Sequence, residues 1–529
     1  MYNKIILQGE RGHPMEHMDR KYVGIIHIGT VNMTMKILSY TSISDVSVIE
    51  TISREVSYGE EVFQSHHVNF QSLREICQIL VGFKQLLKDY GVTDVQVLTT
   101  TAIREADNLL NIIDQIRVRT GFEIQVIPMS REIYFKFFGL YYTILKGTFN
   151  FSDAAVLLID ITSGGMGLTC WQSDHLLFQQ NVHLGSLRVL ENFTKHQREE
   201  LTFPTAVREY IHGNLSPLWS SVKQHNIQYV VLSGRAALLL GQLLHIKPEN
   251  GVSLIKPQWI IDFVHSFHGL SPDKLVERCG LSENLANVIM PTIMLYYELF
   301  RIIKVDMIVL MSTTFIEGYS LYYISEKTNS PFIIHQRGLI LDLARTIAER
   351  YTSNLRHTSL VEAYSWQIFE VLYESCGMDH RMGYLLRFAA ILHEVGKFIN
   401  MRKHRICTYE LIRQTDFFGI TDTEKEIIAS VASYFDSDVP SDNAEWIDRE
   451  IPKELTVIVS KLRAIFLLAD ALDKSHMGKI ISIKASLDDS LLAIQYKADL
   501  DISLERWTFE KAATVFEEVF GISPKLMKG

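Results

Sequence analysis

Asp160 closes an apolar run and is followed at once by Ile161 and Thr162-Ser163-Gly164-Gly165, within the stretch AAVLLIDITSGGMGL over 154–168. An unbroken apolar run of this length suits a strand buried on both faces. Glycines permit a tight turn in which backbone N–H groups come close to a phosphate. A carboxylate at the strand end offers a hard oxygen ligand for Mg²⁺. Together these residues describe a loop for phosphate and metal. The same letters also fit a glycine-containing hairpin with an incidental Asp. A second turn of similar character, Gly29-Thr30-Val31-Asn32, separates the runs YVGIIHIG and MTMKILSY.

Several function classes are excluded by the totals. The 529 residues carry a formal net charge of −9, so general nucleic-acid affinity is not expected. A polyanionic substrate would need a local basic patch working against that sign. The length corresponds to about three or four domains. Five cysteines, Cys77, Cys170, Cys279, Cys376 and Cys407, are scattered without a C-x-x-C pair. That pattern indicates reduced thiols and no cysteine zinc site. Residues 1–20 are polar, read as a loose leader with His13, Glu16 and His17 in solvent. The longest apolar region, Val288–Phe300, contains Pro291 and Glu298 and is too short for a bilayer. A cytoplasmic protein without a membrane partner follows.

The elements that must position these turns fall into a repeated order. Two strands meet at Gly29, and a third lies near Ser47–Val56. Leu73–Tyr90 has helical spacing and stops at Gly91. VQVLTTT is a strand, Ala102–Thr120 a helix, EIQVIP a strand and Arg131–Leu145 a helix. Strands at 154–161, 166–171, 176–183, 228–233 and 306–312 repeat the logic after Ala154. Two lobes that each begin strand–Gly turn–strand indicate an internal duplication with a cleft between them. From Gly338 the pattern becomes helical, with helices at Ala344–Tyr351, Ser359–Tyr373, Met382–Leu392, Cys407–Arg413, Thr423–Tyr434 and Glu454–Ala471. A hairpin at Asp488-Asp489 and a helix at Leu504–Val519 close the chain.

Several of these stretches, in this order, resemble the exopolyphosphatase / guanosine-pentaphosphate phosphohydrolase (Ppx/GppA) family in its long form. VQVLTTTAIREADN resembles its T-S-A-x-R-x-A-x-N segment, and VHLGSLRV its L-G-A-V-R. Ser57-Tyr58-Gly59-Glu60 stands at its R-L-G-E turn, and LLIDITSGGMGL at its I-D-I-G-G-G-S-T-E loop. FAAILHEVGKFIN and LADALDKSH resemble an appended HD-type helical domain. The resemblance implies an α/β fold with two ribonuclease H-like lobes of the actin, sugar kinase and Hsp70 type. An all-α HD-type domain and a small C-terminal α+β segment would follow. The expected domains are 1–20 leader, 21–150 and 151–330 lobes, 331–480 helical domain and 481–529 closing segment.

The activity implied is hydrolysis of a terminal phosphate from inorganic polyphosphate or pppGpp, with Mg²⁺ or Mn²⁺, by a homodimer. The family's general base falls on Glu132. A carboxylate on the first turn of a helix at a cleft could orient an attacking water; helix starts also favour Glu through the macrodipole. Gly29, Thr30, Arg104, Ser163, Gly164, Gly165, Arg188 and Gly234 are the implied phosphate contacts, and Asp160 the implied Mg²⁺ ligand.

Several family positions are changed. The metal-binding Asp of the first turn is His27, and imidazole is a poor Mg²⁺ ligand. The acid of the second turn is Gly167. Arginines are replaced by Thr34, Leu285 and Ile316, leaving Arg104, Arg188 and Arg235. Removing one donor to a developing charge commonly costs about 10²–10³ in rate. In the HD-type domain His357, His393, Glu394 and Asp470 form the candidate metal set, with Asp473 and His476 nearby. Glu394 replaces the usual Asp, and Ser433-Tyr434-Phe435 lacks a further histidine. Three readings follow: a phosphatase using Glu132 in the cleft, a polyphosphate- or (p)ppGpp-binding regulator impaired in turnover, and a phosphohydrolase using metal in the helical domain.

Overall fold

A computed structural model describes residues 20–529 apart from 57, 149–150, 152, 201, 247–251, 267–282, 352, 435–450 and 489. The expected leader, Ser57, Cys279 and Phe435 therefore lie outside the described residues. So does the side chain of Leu285. The chain divides into a first unit, 1–336, and a second, 337–529.

Hydrophobic alternation and glycine placement build the first unit from two sheets. Strands β1 (Lys21–Ile28), β2 (Asn32–Ser42), β3 (Asp45–Glu55), β4 (Val95–Thr99) and β5 (Ile124–Val126) form one sheet in the order 3-2-1-4-5. β1 is antiparallel to β2 and parallel to β4. The second sheet joins β6 (Ala155–Ile161), β7 (Met166–Gln172), β8 (His175–Val182), β9 (Ile227–Ser233), β10 (Val252–Ile255) and β11 (Ile308–Met311). Its order, 8-7-6-9-11-10, repeats the first with one antiparallel edge strand added. All seven residues of β6 are buried, as an apolar strand covered on both faces requires. The duplicated topology is the α/β lobe fold of the actin type.

The fold departs from the sequence pattern in places. The helix expected over Ala102–Thr120 is two, Thr101–Arg104 and Leu109–Thr120. Asn108 causes the break. Its amide accepts from Val68 N at 3.1 Å and donates to Val68 O at 2.9 Å, drawing the chain out of helical register. β10 has only four residues, too few for a readable period.

Helix Met129–Thr143 crosses helix Phe315–Lys327 at Gly139 and Gly318. A Cβ on Gly139 would stand 2.7 Å from Gly318 Cα, so only glycine permits this approach. Phe135 packs edge-on to Tyr319 beside the crossing, with centroids 5.1 Å apart. This contact fixes the depth at which the residues after Glu132 sit.

The second unit is helical before it ends in a sheet. Helices Leu355–Leu372, His380–Leu392, His404–Gln414, Asp422–Ala432 and Thr456–Ala471 supply its core. Asn354, Asp379 and Thr421 cap three of them by accepting from backbone N–H groups. β12 (Ile480–Asp488), β13 (Leu491–Ala498) and β14 (Ser523–Lys528) form the closing sheet, with helix Ser503–Phe520 between the last two. β14 runs parallel to β13 and was not legible in the sequence. Among the described residues no helix is long and apolar enough to cross a membrane.

Candidate functional site

Glu132 lies on the first turn of helix Met129–Thr143, and Asp160 near the end of β6. The fold brings them together, but around a residue the sequence reading missed. Lys136, one helical turn after Glu132, places Nζ 2.8 Å from Asp160 Oδ2 and 3.3 Å from Glu132 Oε1. All three are buried, at 5 % exposure for Glu132, 6 % for Lys136 and 0 % for Asp160. Burial opposes charge on Lys136, but Asp160 and Glu132 outweigh it and raise its pKa. Burial likewise opposes charge on Glu132, but Lys136, Arg104 and His27 hold its carboxyl below the ordinary range. Asp160 is pushed up by burial, with Lys136 working against the shift. The i,i+4 spacing of Glu132 and Lys136 was the available signal.

The arginines are also engaged. Arg104 donates to Ile127 O at 2.6 Å and approaches Glu132 Oε2 at 3.5 Å. Arg188 pairs with Glu105 and, at 2.8 Å, with Glu191. Arg235 is exposed. Ser163-Gly164-Gly165 forms the β6–β7 turn, whose carbonyls are covered by the start of the next helix. Ser163 O accepts from Leu187 N at 2.9 Å and from Arg188 N at 3.1 Å. Gly164 lies against Thr101 and Phe63. Gly234 has φ +80°, and a Cβ there would stand 2.5 Å from Asp160 Oδ1. Gly29 and Thr30 sit in the β1–β2 turn, with Tyr58 Oη donating to Gly29 O at 2.6 Å.

This set does not fit Mg²⁺. His27 stands where the second carboxylate would be, and burial drives its pKa down to about 4, so it is neutral. Its Nε2 is 3.1 Å from Thr100 Oγ1, and its ring packs on Phe315. Beside Gly167, where an acid is expected, Ile133 fills the space: a Cβ would meet its side chain at 2.7 Å. Asp160, the buried strand-end carboxylate among the described residues, is already paired through Oδ2 with an ammonium.

The second unit presents the opposite arrangement. His357 lies on the first turn of helix Leu355–Leu372, His393 just past helix His380–Leu392, and Asp470 near the end of helix Thr456–Ala471. His357 Nε2 is 3.2 Å from His393 Nε2 and 3.4 Å from Asp470 Oδ1. Each far ring nitrogen has an acceptor: His357 Nδ1 faces Asp473 Oδ2 at 2.9 Å, and His393 Nδ1 faces Ala390 O at 2.7 Å. Such partners fix the tautomer and leave Nε2 as the ligand atom. Asp473 is itself held by Gly478 N at 2.7 Å.

These three ligand atoms, and separately those of His357, Glu394 and His476, lie close enough to share one metal ion. They line a pocket of about 230 Å³ with Lys397, His404 and Lys474. Glu394 is drawn aside by Lys397 and by Asn354 N at 3.1 Å. Burial lowers His393 to about 4. Burial opposes charge on His357, but Asp470 and Asp473 lift it to about 9, so a metal bound at Nε2 must displace its proton. Two imidazoles and a carboxylate fit a divalent transition metal better than Mg²⁺. The sequence had named His357, His393, Glu394 and Asp470; the orienting part played by Asp473 was visible only in three dimensions.

A duplicated 3-2-1-4-5 sheet with a helical unit bearing a His-His-Asp cluster defines a class, actin-type lobes joined to a helical domain. The sequence pattern of the Ppx/GppA phosphatase family matches residues 37–325, and that of Ppx/GppA phosphatase domain III matches 342–511. The chain belongs to the Ppx/GppA phosphatase family. It is similar to guanosine-5'-triphosphate,3'-diphosphate pyrophosphatase of Aliivibrio fischeri, with 21% identity over 501 residues, 91% of this chain and 95% of that one. The Vibrio atlanticus protein of the same name is 19% identical over 412 residues, 77% of this chain and 79% of its own. An exopolyphosphatase structure from Cytophaga hutchinsonii shares the fold, with TM-score 0.52, 16% identity, and coverage of 58% of this chain and 98% of its own.

Proposed function

We propose that this chain is a cytoplasmic phosphohydrolase of phosphoric anhydrides whose metal chemistry belongs to the second unit, an HD-type domain. The convergence of His357 Nε2, His393 Nε2 and Asp470 Oδ1 in a lined pocket carries this reading. A divalent metal held there would polarise a phosphoryl oxygen and acidify a bound water. Asp473 and Ala390 O orient the two imidazoles. Lys397, Lys474 and His404 place positive charge around the same pocket, as a phosphate-bearing substrate requires. The names of the relatives suggest pppGpp or polyphosphate as substrate. A homodimer is the assembly expected, and light scattering would test it.

A second reading keeps hydrolysis in the first unit, with Glu132 activating water and Arg104, Arg188, Gly29, Thr30, Ser163, Gly164, Gly165 and Gly234 around the phosphates. The depressed pKa of Glu132 favours it, since a base must be ionised. Phosphate release from pppGpp and from long-chain polyphosphate separates the readings. In the first, His393→Ala lowers turnover by about 10²-fold or more while Glu132→Gln stays within about threefold. In the second, the two variants exchange behaviour. Tight binding of either compound without release in the parent chain would instead identify a regulator.

A further inference from the structure

Lys136 has no part in any activity described above, yet among the described residues it is the most deeply buried cation beside the cleft expected between the two lobes. We infer that its ammonium is the resident cation of that cleft, standing in for a divalent metal and making the cleft metal-independent. This inference stands whichever unit carries hydrolysis.

A buried lysine is normally neutralised unless carboxylates surround it. Lys136 has two, Asp160 Oδ2 at 2.8 Å and Glu132 Oε1 at 3.3 Å. It is held there by construction. The crossing at Gly139 and Gly318 sets helix Met129–Thr143 against its neighbour, because a side chain on Gly318 would strike Phe135 O. Asp160 is fixed from the other side by the left-handed Gly234.

The surroundings have lost what a dication would need. His27 is engaged with Thr100 and Phe315, and Ile133 occupies the space beside Gly167. A second cation beside Lys136 would meet direct repulsion at low dielectric. The absence of an acid at His27 and at Gly167 and the presence of Lys136 therefore form one coherent arrangement of charge. Two carboxylates and one ammonium replace several carboxylates and a metal.

The test uses the full chain carrying Asp470→Asn, which silences the second unit's cluster. Mn²⁺ binding is followed by water proton relaxation, with thermal melting in EDTA and in millimolar Mg²⁺. With Lys136 present, no Mn²⁺ site sensitive to Asp160→Asn is expected, and Mg²⁺ leaves the melting temperature unchanged. Lys136→Met should melt lower in EDTA, recover part of the loss in Mg²⁺, and gain one Mn²⁺ site that Asp160→Asn removes. A Mn²⁺ site in the Lys136 chain that disappears with Asp160→Asn overturns the inference. So does a Lys136→Met chain that melts as the parent does. If Lys136→Met does not fold, the Asp160→Asn comparison in the Lys136 chain decides alone.

Discussion

The two units of this chain bury their ionisable groups in opposite ways. In the first, the strand-end acid Asp160 and the helix-start acid Glu132 close on Lys136, and Arg188 closes on Glu105. Each charge finds its partner within the protein. In the second, His357 and His393 spend their outer nitrogens on Asp473 and Ala390 O, and their inner nitrogens face each other and Asp470. Asp470 also has an ammonium, Lys474, at 3.0 Å from Oδ2, which leaves Oδ1 with the two imidazoles. In the first unit the ammonium stands between the two carboxylates, whereas in the second two imidazole nitrogens and Asp470 Oδ1 converge, an arrangement suited to take a metal once His357 gives up its proton.

The most drastic way to break this comparison is to remove the internal cation. Lys136→Met leaves buried Asp160 without its ion-pair partner and Glu132 with Arg104 alone, and should destabilise the first unit by about 3–5 kcal/mol, read from its unfolding transition. A loss below about 1 kcal/mol would mean that water already reaches the triad. Next in size is Gly318→Ala, which forces the helix crossing apart. About 1–3 kcal/mol should be lost, and the transition of the second unit should not move.

Asp473→Ala sharpens the other half. The second unit should remain folded while metal affinity falls about 10- to 100-fold, measured by competition with a chelating dye. Unchanged affinity would show that Asp473 does not orient His357. The smallest effect concerns His27. Its folded pKa of about 4 lies below the ordinary 6.5, so the unfolded chain binds the proton more readily. Stability should therefore fall as pH drops from about 6.5 toward 4, and His27→Gln should flatten that slope. A parent and variant with the same pH profile would contradict a neutral buried His27.

Much of the architecture could be read before any coordinates. The turn at Gly29, the run ending at Asp160 and the break in strand signals after Gly338 are local patterns, and local patterns survive in a sequence. The split near Asn108 could not be read, because it depends on a hydrogen bond to Val68, forty residues away. β14 was hidden for a similar reason: SPKLMK has no alternation of its own and becomes a strand by pairing with β13.

The candidate residues were legible as types but not as partners. Glu132 and Asp160 were both named as candidates, and Lys136 lay four positions from one of them. Its significance required knowing that β6 delivers Asp160 to the same point. Arg188 was read as a phosphate ligand, whereas Glu105 engages it. His357, His393 and Asp470 were named as candidates together with Glu394, which stands in place of the usual Asp. Glu394 pairs with Lys397 and accepts from Asn354 N, and its carboxylate converges with His357 and His476, while His393 and Asp470 converge with His357 on the other side.

Metal content per chain tests the central claim most directly, measured by elemental analysis on protein loaded with Mn²⁺ or Zn²⁺ and freed of excess. The parent should retain about one equivalent, Asp160→Asn should retain the same, and Asp470→Asn should retain almost none. Retention by Asp470→Asn together with loss in Asp160→Asn would place the metal in the cleft of the first unit and contradict the account.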